Sequence, residues 1–226
     1  MEAFEENYAA GCRVFEVDLT LTSDNKLVAL HDWSESTTCN TLGMNIPEEK
    51  RGMPLTEEEY LELKVLGKYT TLSFKDVAEL MNEYPDIYIV TDTKETLEPY
   101  VSMQFDLLIK TAEEVNPEIL DRIIPQMYNE EMYYTIMNMY NWKSMIYTVY
   151  GLVDDYSEKQ VMDFAYQNGI RVVTMFESRA HELFIDELTE RDILVFMHTY
   201  NSQEEFERIK RMGADGVYTD LLRPTP

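Results

Sequence analysis

Acidic and basic side chains stand where apolar segments of this 226-residue chain end. The first such segment, residues 13–19, carries Glu16 and Asp18, and a later one ends in Asp92, followed closely by Lys94. Side chains two positions apart on a strand point to the same face, so Glu16 and Asp18 share one face if their segment is a strand. Carboxylates gathered there would supply the oxygen ligands that Mg²⁺ and Ca²⁺ prefer.

Histidines end two further apolar segments. His31 closes residues 27–31, and His198 closes residues 193–198. An imidazole transfers protons near neutral pH, so His31 is a candidate acid or base, while Lys94 suits a phosphate oxygen. Clustered carboxylates repel one another unless a cation compensates them, and the same cation would neutralise an incoming phosphate. The pattern is therefore compatible with metal-assisted chemistry on a phosphorylated substrate.

Each of these residues also has a purely structural interpretation. With 43 acidic residues in the chain, some Glu-x-Asp pair arises by chance, and on a surface strand Glu16 and Asp18 would be solvated charges. Asp92 and Lys94 would then be an ion pair in a loop. His31 would be a histidine packed beside Trp33, and His198 would only lie next to a functional site. Against this, Glu16 and Asp18 lie in an apolar segment of a sheet whose two faces are normally covered.

Strand-like and helix-like segments alternate along the chain, which predicts a parallel sheet with right-handed crossovers. Strands are expected at residues 13–19, 27–31, 87–92, 122–127, 144–149, 170–175 and 193–198, with a short segment at 216–220. Helices are expected at residues 2–11, 56–66, 73–84, 100–115, 130–141, 157–169, 179–188 and 202–213. The polar stretch 32–51 is expected to be a long loop, and loops of that length are usually functional.

Seven strands without a break in composition predict one α/β domain over residues 1–226. A closed barrel of the TIM type, (β/α)₈, has eight parallel strands, so the chain is expected to form such a barrel without its first strand.

The composition limits the kinds of partner. Lys and Arg number 19 against 43 acidic residues, which gives a net charge of −24. Such a surface repels nucleic acid and anionic membranes, so an anionic substrate needs a local pocket of inverted charge, most simply at a bound divalent cation. The expected partner is a small molecule, and no sequence pattern indicates an oligomeric state.

No long apolar run or signal peptide is visible, so no transmembrane segment is expected. Two cysteines are too few for a disulfide framework. As it stands, the chain predicts a cytoplasmic protein, and an upstream signal or anchor would make it extracytoplasmic.

Residues 2–32 resemble the glycerophosphodiester phosphodiesterase family. They contain an Ala-Phe helix, a Glu-x-Asp strand end, a Thr-x-Asp turn and a His-Asp strand end in the order and spacing of that family. Residues 69–78 resemble the segment that precedes its next helix, and residues 213–220 resemble its closing motif. Residues 92–94 resemble its Glu-x-Lys motif with Asp in place of Glu, while residues 100–190 match only in the order of elements.

The resemblance implies an α/β barrel related to the phosphatidylinositol-specific phospholipases C. It implies an enzyme, a metal-dependent hydrolase that cleaves glycerophosphodiesters to glycerol 3-phosphate and an alcohol. By position, Glu16, Asp18 and Asp92 would hold a divalent cation, Ca²⁺ or Mg²⁺. His31 would protonate the leaving alkoxide, and Lys94 would bind the phosphoryl group.

Three departures from the family pattern keep alternatives open. The family's first strand is absent, with its His-Arg-Gly motif, a second catalytic histidine and one usual metal ligand. Asp92 is one methylene shorter than the family's Glu, and His198-Thr199 stands where the last strand usually ends in Trp-Thr. His198 is expected to line the substrate pocket. The alternatives are a truncated or degenerate barrel that binds metal or ligand without turnover, and a phosphodiester lyase or other barrel enzyme with a phosphorylated substrate.

Overall fold

Parallel strands joined by helices form the frame of the protein in the computed structural model, which describes residues 1–42, 46–149 and 157–224. The chain forms two units. The first comprises Met1–Ile123 and Thr135–Asn141, and the second comprises Ile124–Tyr134 and Trp142–Pro226. A single domain over residues 1–226 stays a prediction.

The first unit contains a three-stranded sheet and a separate hairpin. Its strands are β1 (Val14–Leu21), β2 (Leu27–Ala29), β3 (Lys64–Val65), β4 (Tyr69–Thr70) and β5 (Tyr88–Asp92). Its helices are α1 (Glu2–Ala9), α2 (Glu35–Asn40), α3 (Glu57–Leu61), α4 (Phe74–Glu83) and α5 (Glu98–Val115), with short 3₁₀ turns at Glu48–Lys50 and Pro117–Arg122. Strand β1 is parallel to β5 and antiparallel to β2, while β3 and β4 form the antiparallel hairpin.

The second unit contains a parallel sheet in the order β6-β7-β8-β9-β10. Its strands are β6 (Ile123–Met127), β7 (Ile146–Thr148), β8 (Val172–Met175), β9 (Leu194–Met197) and β10 (Gly216–Val217). The helices beyond residue 129 are α6 (Glu130–Met139), α7 (Glu158–Gln167), α8 (Glu182–Thr189) and α9 (Gln203–Arg211), with a 3₁₀ turn at Glu177–Arg179. Among the helices described, none is both long and apolar enough to cross a lipid bilayer.

Short polar side chains set where several helices begin, among them α3, α4, α7 and α9. Each accepts a hydrogen bond from the backbone N–H three residues further along, which satisfies a donor that the first helical turn leaves free. These residues are Thr56, Ser73, Ser157 and Ser202. In the first three the third helical residue bonds back to the cap, which completes a capping box.

Strand β2 differs from the prediction that residues 27–31 form a parallel strand. Strand β1 runs beyond Asp18 to Leu21, the chain turns, and β2 returns antiparallel to it. The turn is closed locally, because the Thr22 hydroxyl accepts from the N–H of Lys26 at 2.8 Å and donates to Asp24 at 2.7 Å. In the described ranges, seven strands remain when β2 and the hairpin β3–β4 are left out. This equals the predicted number of strands, because β10 replaces β2 in the count.

The segment between β2 and α4 also differs from its prediction. The expected loop 32–51 contains α2 and a 3₁₀ turn, and residues 43–45 lie outside the described ranges. The expected helix 56–66 ends at Leu61, and hairpin β3–β4 follows it.

This segment has its own apolar core, which packs it against β2 and holds α2 and the hairpin in place. Its buried members are Val28, Leu30, Trp33, Leu42, Ile46, Leu55 and Tyr60, with Leu63 and Val65 packed on them. The buried hydroxyl of Tyr60 donates to the carbonyl of Ala29 at 2.6 Å.

Candidate functional site

The carboxyl ends of β1 and β5 bring three carboxylates together. The two strands are parallel neighbours with Asp18 opposite Asp92, and Glu16 lies two residues before Asp18 on β1. One carboxylate oxygen from each of the three residues lies within 4.8 Å of the others. Asp92 is only 2% exposed, Asp18 is half-buried and Glu16 is exposed. The convergence expected from strand alternation is therefore observed.

Lys94 lies against this cluster. Its Nζ is 2.7 Å from Asp18 Oδ1 and is also paired with Asp92 Oδ2. The backbone at Lys94 has a φ of 59°, and its N–H donates to Asp92 Oδ1 at 3.2 Å, so the chain turns back directly after β5. Burial acts to lower the pKa of Lys94, but the carboxylates of Asp92 and Asp18 outweigh it and hold the pKa above its ordinary value.

The charges of this cluster fit a divalent cation. Three carboxylates and one ammonium leave a net charge of −2, which one divalent ion balances. Closely spaced carboxylate oxygens are the donor set that Mg²⁺ and Ca²⁺ select over softer metals. Glu16, Asp18 and Asp92 are thus suited to hold such an ion, as their predicted role requires.

His31 is oriented by its neighbour. Its Nδ1 is hydrogen-bonded to Asp32 Oδ2, and Asp32 Oδ1 in turn accepts from the Ser34 N–H at 2.6 Å. Burial acts to raise the pKa of Asp32, but hydrogen bonds from Ser34 and His31 outweigh it and hold the pKa well below its usual range. Asp32 is therefore an anion that fixes the ring and leaves Nε2 for proton transfer. The sequence analysis did not predict that Asp32 orients His31.

Glu16, Asp18 and His31 share one cavity of about 470 Å³. The antiparallel return of β2 explains this, because the N–H of Leu30 donates to the carbonyl of Asp18 at 3.1 Å and His31 follows at once. The lining residues are Glu16, Val17, Asp18, Ala29, Leu30, His31, Thr37, Thr41 and Val65. The last three come from the segment after β2 and were not predicted individually. Thr37 and Thr41 lie in the expected loop 32–51, whose length had indicated a functional role, whereas Val65 lies outside it.

Gln104 is a further residue that sequence reasoning missed. It lies on the buried face of α5, is 1% exposed, and donates from Nε2 to the carbonyl of Thr93 at 3.0 Å. The same carbonyl accepts from the N–H of Glu95 at 2.7 Å, so two donors fix the turn that carries Lys94. The available signal was a polar residue in an apolar helical stripe.

We expect Gln104→Leu to weaken cation binding about tenfold, because residues that orient metal ligands contribute on that scale. Leucine keeps the approximate side-chain size but removes the donor to Thr93. The measurement is a luminescence titration with Tb³⁺ on the purified protein. Ser102→Ala, which removes a surface hydrogen bond to Glu98 on the same helix, is expected to change nothing. Equal Tb³⁺ affinity in Gln104→Leu and wild type would contradict the prediction.

His198 belongs to the second unit. It follows β9, and its ring lies 4.4 Å from that of Phe176 and 5.9 Å from that of Tyr218, measured between centroids. These ring contacts hold its side chain in place within that unit. The substrate contact expected for His198 stays a prediction.

Comparison with known proteins identifies the family. The model of the glycerophosphoryl diester phosphodiesterase family matches residues 1–223. A curated relative from Bacillus altitudinis, named glycerophosphodiester phosphodiesterase, is 22% identical over 229 residues, which are 98% of this chain and 88% of that protein.

Solved structures share the fold at low sequence identity. One from Silicibacter pomeroyi aligns with a TM-score of 0.80 at 15% identity, over 98% of this chain and 84% of that one. A phosphodiesterase from Oleispira antarctica, in complex with the product sn-glycerol-3-phosphate, aligns with a TM-score of 0.71 at 13% identity, over 94% of this chain and 83% of that one. The fold is therefore the α/β barrel of the TIM type. The chain belongs to the glycerophosphoryl diester phosphodiesterase family and is a phosphoric diester hydrolase.

Proposed function

We propose that the protein hydrolyses glycerophosphodiesters to glycerol 3-phosphate and an alcohol, with Mg²⁺ or Ca²⁺ held by Glu16, Asp18 and Asp92. The observation that carries the proposal is the single cavity lined by two of these carboxylates, with the third beside them, and by His31. Family membership supports the reaction class, and the product bound to the Oleispira antarctica relative supports the substrate class.

The cation site and Lys94 would receive the phosphoryl group. A bound divalent cation supplies Lewis-acid polarisation of a phosphoryl oxygen and offsets the charge of the diester. An ammonium has three donors, and Lys94 directs two of them to Asp18 and Asp92. The third donor is left for a phosphoryl oxygen. The two ion pairs that hold the Lys94 side chain therefore also set the direction of this donor.

His31 would act as the general acid. In its protonated form it is stabilised by Asp32 at Nδ1 and presents a proton at Nε2. The phosphorus–oxygen bond to the alcohol breaks, and its electron pair stays with the alcohol oxygen, which takes the proton from His31. Water supplies the oxygen of the new bond to phosphorus and, overall, returns a proton to the imidazole.

The experiment is product analysis with glycerophosphocholine and added Mg²⁺ or Ca²⁺, followed by ³¹P NMR. We expect glycerol 3-phosphate and choline in equal amounts. In water enriched in ¹⁸O, one ¹⁸O atom should enter the phosphate group. Lasting accumulation of a cyclic glycerol phosphate would indicate a lyase instead, and cation binding without any turnover would indicate a binding protein. Either result would overturn the proposal.

A further inference from the structure

Three oxygen atoms behind strand β5 are buried without a hydrogen-bond partner among the described residues. They are the hydroxyls of Thr91 and Thr93 and the side-chain carbonyl oxygen, Oε1, of Gln104. The three residues are 0%, 1% and 1% exposed. A buried polar atom without a partner is costly, so nearly all such atoms in folded proteins bond to protein or to ordered water. Three of them in neighbouring residues therefore point to a bound ligand.

The three atoms lie on one side of the sheet. Asp92 points towards the carboxylate cluster with Asp18, so Thr91, its neighbour on β5, points to the opposite face. Thr93 follows two residues after Thr91, and Gln104, on the buried face of α5, donates from Nε2 to the carbonyl of Thr93 at 3.0 Å. The amide nitrogen and oxygen of a glutamine are attached to one carbon, so Oε1 of Gln104 also lies beside Thr93.

The chemistry of these atoms selects a small neutral ligand. The two hydroxyls can each donate a hydrogen bond, whereas Oε1 can only accept one. A water molecule that accepts from both hydroxyls and donates to Oε1 satisfies all three, and about three hydrogen bonds are typical of a buried water. A cation is disfavoured because none of the three groups carries negative charge, and an anion is disfavoured because Oε1 would repel it.

We propose that Thr91, Thr93 and Gln104 hold one buried water molecule, and that this water positions the turn that carries Asp92 and Lys94. Thr93 stands between Asp92 and Lys94 in the chain, and its carbonyl is already fixed by Gln104. The water fixes its hydroxyl from the same side. The effect on a bound cation rests on the proposed function, whereas the water itself does not depend on any activity.

Magnetic relaxation dispersion of ¹⁷O-enriched water counts the long-lived water molecules inside a protein. We expect Thr91→Val and Thr93→Val each to lose one such water, and the double variant to lose no more than that one. The control is Thr71→Val, because Thr71 is 3% exposed but its hydroxyl already donates to the carbonyl of Leu63 at 3.2 Å. Its water count should equal that of wild type. An unchanged count in either single variant, or two waters lost in the double variant, would overturn the shared site.

The direction of the change in melting temperature is an independent test. Valine has nearly the shape of threonine but lacks the hydroxyl. If the Thr91 hydroxyl lay in a dry interior, its removal would relieve the cost of an unpaired polar group and raise the melting temperature. If the hydroxyl binds the water, its removal leaves that water with fewer partners, so we expect Thr91→Val to melt about 3 °C lower. A higher melting temperature would contradict the proposal.

The positioning role is measured by cation affinity. We expect Thr93→Val to weaken Tb³⁺ binding about tenfold, the scale on which groups that orient metal ligands contribute. Ser102→Ala should again change nothing. Loss of the water from Thr93→Val without a change in Tb³⁺ affinity would overturn the positioning role. Wild-type protein that binds no Tb³⁺ would instead overturn the cation site of the proposed function, and the water count would still decide whether the buried water is present.

Discussion

Chelation of divalent cations with EDTA is expected to abolish hydrolysis of glycerophosphocholine, and Asp92→Asn is expected to lower kcat at least about 1000-fold at saturating Mg²⁺. Asp92 is the most buried carboxylate of the cluster and contacts Lys94 as well. Replacing it with an amide removes one anionic ligand and one of the two partners of the ammonium. Initial rates and a Tb³⁺ titration of the same preparation measure both effects.

Three further variants make the Asp92 result interpretable. Asp92→Glu keeps the charge and lengthens the side chain by one methylene, so its rate should fall between wild type and Asp92→Asn. Glu16→Gln changes an exposed ligand candidate without risk to the core and should lower kcat about 100-fold. Asp106→Asn removes a surface acid paired with Lys110 on α5 and should have no effect. A kcat in Asp92→Asn within tenfold of wild type would refute the cation site.

His31→Ala is expected to lower kcat for glycerophosphocholine about 1000-fold, within the range of general acid catalysis. Choline leaves as a basic alkoxide and needs the proton, whereas p-nitrophenolate is stable without it. On bis(p-nitrophenyl) phosphate the same variant should therefore lose less than about tenfold. The dependence on the leaving group distinguishes a proton donor from a residue that only shapes the cavity.

The control for His31 is the exposed histidine of the second unit. His181 is also paired with a carboxylate, that of Glu158, but it does not line the cavity. His181→Ala should leave both substrates unaffected. Equal losses on the two substrates in His31→Ala would rule out the role of His31 as the acid.

The carboxylate cluster could be predicted because it depends only on short-range rules. Alternation along β1 puts Glu16 and Asp18 on one face, and a parallel neighbour that ends in Asp92 meets them at the same edge. His31 also reached the expected site, but for a different reason. It lies there because β2 returns antiparallel to β1, whereas the prediction had placed it at the end of a parallel strand.

Other parts of the site depend on tertiary context that sequence patterns do not contain. The capping box at Thr56 marked the start of a helix but not its end, so the helix expected over residues 56–66 stops at Leu61 and the hairpin β3–β4 was missed. Gln104 acts on Thr93 only through the path of the loop after β5. Such contacts join segments whose mutual placement is decided by packing.

The β1–β2 hairpin has a consequence for folding as well as for chemistry. Two of the three carboxylates and the histidine lie within residues 16–31, joined by a turn of five residues and by backbone hydrogen bonds between adjacent strands. Contacts between near neighbours in the chain form quickly, since little loop entropy is lost when they close. Because Leu19 and Val28 of this hairpin are fully buried and β1 also pairs with β5, we expect its backbone amides to exchange hydrogen only at about the free energy of global unfolding.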